Sequence, residues 1–103
     1  MTILTLSDIL DDLRAAEEGL HKFERRYWIS SDDFFKLYSL GQLDDGDAGR
    51  AEEFAEWAGH YKLRQKRLAA LEQLSKQRLE TLRQHGDRER IRLTPAEPAL
   101  KLA

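Results

Sequence analysis

Cysteine is absent from these 103 residues, which excludes disulfide staples, thiolate metal sites and cysteine nucleophiles and fits a reducing interior. The two prolines, Pro95 and Pro98, both lie in the C-terminal tail. No apolar run approaches the roughly 20 residues a bilayer requires, and Met1 to Leu6 has neither the basic flank nor the apolar stretch of an export signal, so the expected location is cytoplasmic. Neither GxGxxG nor GxxxxGK[ST] occurs, so no phosphate-cradling loop is visible. A chain this short forms one domain at most. A small helical domain buries only a modest share of its surface alone, for which oligomerisation is the usual remedy.

What is present is charge and helical periodicity. Charged residues make up 35% of the chain and apolar ones 41%, and the regular spacing of the latter sets it apart from disordered sequences. Leu6, Ile9, Leu13, Ala16, Leu20, Phe23 and Tyr27 step alternately by three and four, a heptad seam on a first helix that opens near Thr5 or Ser7 and ends near Trp28 and Ile29. Asp8, Asp11 and Asp12 place negative charge at its N-terminus. Gly19, in its interior and four residues from Ala15, calls for a close neighbouring backbone. Ser30 and Asp33 have capping-box spacing before a short helix, Ser31 to Leu40, that stops at Gly41. Its apolar residues point several ways, so it is either wedged between two elements or partly a docking surface.

An acidic, glycine-containing turn from Asp44 to Gly49 precedes a long helix, roughly Asp47 to Gln84. Phe54, Trp57 and Tyr61 give this helix its bulk, and Leu63, Leu68, Leu71, Leu74, Leu79 and Leu82 follow, with Arg64 and Arg78 interrupting a strict heptad. At 1.5 Å per residue it spans roughly 55 Å against roughly 30 Å for the first helix, so its last turns are expected to lie uncovered by its own chain. The expected fold is all-α: a hairpin of two long helices with a short helix between them, dimeric, in a helical domain of residues 1–86. Residues 87–103 form a tail, frayed or partner-binding, in which Ile91, Arg92 and Leu93 alternate as an edge strand would. The expected partner-binding residues are Phe35, Leu40, Leu71, Leu74, Leu82, Ile91 and Leu93.

Catalytic, cofactor and metal sites are not expected. His21, His60 and His85 lie far apart on faces that read as solvated. Glu56 and His60 share a helical face with Glu53 one turn earlier, but two or three ligands without a second motif are a weak metal signal. An EF-hand frame starting at Asp45 fails because Arg50 stands where the loop needs glycine. Residues 1–50 hold 6 basic and 11 acidic side chains and residues 51–103 hold 11 and 8. Either the helices carry complementary faces, or the basic residues between Lys62 and Arg92 meet an acidic partner or nucleic acid. Against the latter, Tyr61 is the one aromatic near the basic stretch, and Thr2 to Leu6, read as the strand of a ribbon-helix-helix, has no base-reading side chain.

The block Tyr27-Trp-Ile-Ser-Ser-Asp-Asp-Phe-Phe-Lys-Leu-Tyr-Ser-Leu-Gly-Gln-Leu-Asp-Asp, followed by Phe54-Ala-Glu-Trp-Ala-Gly-His-Tyr61, resembles a family of short prokaryotic antitoxins that partner toxins of the TumE type. The likeness covers about Tyr27 to Lys62. Trp28-Ile29 departs from the family's Gly-Met, and Gly46 to Glu53 is longer than its usual turn. The resemblance implies a helical hairpin that binds and masks a toxin. The alternatives are a structural coiled-coil adaptor and a nucleic-acid-binding protein using the basic long helix.

Overall fold

A computed structural model of the chain describes residues 4–47, 49–84, 90–95 and 101–102. The elements in order are β1 (Leu4–Thr5), α1 (Leu6–Tyr27), α2 (Ser31–Ser39), α3 (Arg50–Gln84) and β2 (Lys101–Leu102). The fold is all-α, with one small ribbon in which β1 and β2 pair antiparallel, Leu4 opposite Leu102 and Thr5 opposite Lys101. The expected tail strand at Ile91 to Leu93 is not formed. Those residues lie exposed without regular structure, and the strand comes later in the tail, on the chain's own N-terminus.

α1 and α2 each start where a side chain satisfies a free backbone amide. Thr5 Oγ1 accepts from the Asp8 amide while the Asp8 carboxylate accepts from the Thr5 amide, a reciprocal capping box. The Thr5 bonds hold the Asp8 carboxyl below its ordinary value. Ser30 Oγ accepts from the Asp33 amide at 3.1 Å to open α2. The acidic turn reaches further than its composition suggests, so α3 begins at Arg50 rather than Asp47. Gly49, at φ 80°, takes the left-handed conformation just before it.

The partners of α1 and α3 fix their direction. Arg26 meets Glu53, Lys22 meets Glu56, Glu17 meets Arg64 and Asp12 meets Arg67. Numbers fall along α1 as they rise along α3, so the two run antiparallel, and acidic residues of α1 face basic residues of α3 below the α2 end. Two of these ladder residues, Arg64 and Arg67, come from the basic stretch, so part of the charge asymmetry serves the packing between helices. The ion pairs are largely solvated and contribute little each.

Two apolar clusters hold the hairpin. In the head, Leu20 and Phe23 of α1, Phe34 of α2 and Phe54, Trp57 and Ala58 of α3 are buried together. In the stem, Ile9, Leu13 and Leu74 are buried, with Leu68 and Leu71 partly covered beside them. Leu74 is therefore enclosed by its own chain, at 2% exposure, which corrects the expectation for this residue, while Leu79 beyond it stays exposed. The α1 seam reaches far enough down to shelter it, and β1 adds Leu4 to the same cluster. Gly19 has a side chain for a neighbour rather than a backbone: a Cβ there would lie 2.6 Å from the His60 ring.

Candidate functional site

The head is organised around α2, a nine-residue helix too short to be stable alone. Trp57 is its anchor. The indole is 1% exposed and stacks on Phe34 with ring centroids 3.7 Å apart, with Phe23 at 5.4 Å and Tyr27 at 5.6 Å. Its Nε1–H donates to Ser31 Oγ at 2.9 Å. The Ser31 hydroxyl and amide in turn donate to Glu24 Oε2 at 2.7 and 3.0 Å, and His21 Nδ1 lies 2.8 Å from the other Glu24 oxygen. This line of bonds ties all three helices together. Ser31 is buried, and its hydroxyl is engaged on both sides, as donor to Glu24 and acceptor from Trp57.

Burial opposes ionisation of Glu24, but the hydrogen bonds from Ser31 and His21 outweigh it and hold the carboxyl below its ordinary 4.5. A carboxyl with a lowered folded-state pKa stabilises the fold fully above its unfolded value and loses that contribution as pH falls through the folded value. Docking of α2 is accordingly expected to weaken below about pH 4.5. Fluorescence of Trp57 in a Trp28→Phe background should change in that window. A Glu24→Gln variant should not show the change there.

Around the anchor, Phe35 stacks on Tyr61 at 4.4 Å, so this expected docking residue is half-buried against α3. The helix is wedged rather than open on that side. Tyr61 donates to Asp32 at 2.9 Å, and that bond to a carboxylate raises the phenol's pKa. Tyr27 donates to Glu53 and accepts from Arg50 Nη1 at 3.1 Å, while Arg26 also pairs with Glu53. Glu53 and Glu56 are thus engaged with α1, and no group of three metal-ligating side chains occurs among the described residues. A cavity of about 170 Å³ opens between α1, α2 and α3, lined in part by Glu17, His21, Glu24 and Arg64. Its carboxylates already hold Arg64, His21 and Ser31.

The surface of the head carries what the core does not use. Trp28 is 92% exposed and closes α1 in the left-handed conformation, φ 59°. Glycine is the usual residue there, because a Cβ in that region costs roughly 1–2 kcal/mol. Leu40, at the end of α2, is 70% exposed. Of the other expected partner-binding residues, Ile91 and Leu93 are exposed, Leu71 and Leu82 are half-buried and Leu74 is enclosed. His85 lies outside the described residues. Sequence reasoning passed over Trp28, treating it as a helix end. The available signal was a large aromatic at the stop position of a helix with no glycine to take the left-handed turn.

In the basic stretch, Arg78 donates to the Thr94 carbonyl at 2.7 Å, and Arg64 and Arg67 face α1. Lys62, Lys66, Lys76 and Arg83 remain exposed. Fold and surface together define a three-helix hairpin with an aromatic-locked head. No family model matches the chain, and no curated protein or solved structure proved similar to it.

Proposed function

We propose that the protein is an interaction module of the antitoxin kind, whose head binds and masks a protein partner. The observation that carries this reading is Trp28. An indole held almost wholly in water, in a backbone conformation that disfavours it, stabilises nothing in the hairpin. Such costs persist where a residue serves binding, and tryptophan is among the residues that dominate protein interfaces. Leu40, exposed at the far end of α2, adds a second apolar contact. The toxin class of the partner rests on the family resemblance of Tyr27 to Lys62. Nothing equivalent supports the nucleic-acid reading, since three of the seven basic residues from Lys62 to Arg83 are engaged within the chain.

The test is Trp28→Gly, with co-expression alongside the product of the adjoining gene. Glycine relieves the left-handed turn, so the melting temperature should rise, by the equivalent of about 1 kcal/mol. Capture of the partner should fall by about thirtyfold, the loss typical of a central interface residue. A more stable protein that captures the partner undiminished refutes the assignment.

A further inference from the structure

At the head the chain itself joins α1 to α3, through α2 and the acidic turn. At the opposite end, where α1 starts and α3 finishes, no such connection exists, and free helix ends are where a hairpin frays first. Two contacts of the C-terminal tail bridge that end. Arg78, near the end of α3, donates to the Thr94 carbonyl at 2.7 Å. Further on, β2 touches α3 and pairs with β1, Leu102 opposite Leu4 and Lys101 opposite Thr5. β1 in turn belongs to the stem. Leu4 packs on the Ile9, Leu13 and Leu74 core, and Thr5 supplies the reciprocal cap that opens α1. The tail therefore reaches, through β1, both the core of the stem and the first turn of α1.

We propose that the C-terminal tail is a releasable strap: clipped to β1 it holds the open end of the stem shut over Leu74, and unclipped it leaves the hairpin folded. Its hold is slight enough to open. Each strand supplies two residues, against about five or six in an ordinary strand. Pro95 and Pro98 lack the amide hydrogen that a longer ladder would need. Arg90 to Pro95, ahead of β2, lie exposed without regular structure, so no apolar burial there resists release. Head and strap are also independent. Trp57 and its partners lie towards the other end of α1, roughly 30 Å away, and among the described residues the two clusters have no member in common.

Hydrogen exchange of the full chain, read by segment, tests the strap in both directions. Lys101→Pro with Leu102→Pro removes both amide hydrogens of β2, so exchange across Ile9 to Leu13 should quicken about tenfold while the head, Phe54 to Tyr61, keeps its rate. Leu4→Cys with Leu102→Cys does the opposite. Directly opposed residues of an antiparallel pair have Cα atoms about 4.5–5.5 Å apart, within reach of a disulfide, and the chain has no other cysteine. Oxidation of that variant should give one intramolecular bond and slow the same amides about tenfold relative to its reduced form. The proposal is overturned if the proline variant exchanges like the parent or if both ends of the hairpin quicken together. It is overturned equally if the cysteine pair fails to close, or closes and leaves exchange at Ile9 to Leu13 unchanged.

Discussion

Trp57→Ala should cost the fold about 3–5 kcal/mol, the range for truncating a buried aromatic. That is a large part of the total expected for a chain of this size, roughly 5–15 kcal/mol. Among the described residues the indole is the one ring stacked face to face on rings of both α1 and α2, through Phe23, Tyr27 and Phe34, and its removal also takes the donor away from the buried Ser31 hydroxyl. The other aromatic contacts of α2 with α3 are weaker: Phe34 meets Phe54 tilted at 5.7 Å, and Phe35 on Tyr61 is half exposed. A thermal melt followed by circular dichroism should therefore shift down by well over 10 °C. Trp57→Phe separates the two contributions: it keeps most of the stacking and loses the Nε1–H, so it should cost far less than the alanine variant. The other tryptophan behaves oppositely, since removing Trp28 is expected to stabilise the chain. A sequence in which one indole supports the fold and the other burdens it is easily tested by fluorescence, because only Trp28 should be open to an aqueous quencher.

The second large effect is expected at Leu74. This residue is enclosed by Ile9 and Leu13 of its own chain, so Leu74→Ala should destabilise by about 2–4 kcal/mol. The loss should be independent of protein concentration. Leu79→Ala, at an exposed position further along the same helix, should cost far less. Denaturant titrations at two protein concentrations check both. If the Leu74→Ala penalty vanished on dilution, the side chain would belong to an interface between chains and not to the stem core.

The aromatic residues that carry the family resemblance, Trp28 apart, turn out to be buried or half-buried. Phe34, Phe54 and Trp57 form the head core, Ser30 caps α2 and Ser31 ties it to Glu24 and Trp57. The likeness of that block thus describes how the head is built, and the surface that would touch a partner lies at its margins. Trp28 is where this chain departs from the family's Gly-Met, and the left-handed backbone there explains why glycine suits the position.

Much of the architecture was legible in the residues. The α1 seam repeats every three or four positions, and Ile9, Leu13, Ala16, Leu20 and Phe23 are all buried, because a continuous apolar stripe can only face a neighbour. The caps at Thr5 and Ser30 and the left-handed Gly41 were equally readable, since each depends on chemistry within a few residues. The long helix was less clear. Its contacts are shared between α1 and α2, so the buried face drifts from Phe54 and Trp57 to Leu74, and no single period describes it.

The sequence by itself determined the helices, the ends of α1 and α2 and the class of the fold, because these follow from spacing, capping and the absence of proline from the helices, all local properties of the chain. Only the tertiary structure decided which apolar residues are spare. How far α1 slides along α3 sets whether Leu74 is covered, how α2 tilts onto Tyr61 sets whether Phe35 is free, and the backbone turn at Trp28 puts that indole in water. Those outcomes depend on distances between elements far apart in the chain, which no local pattern encodes.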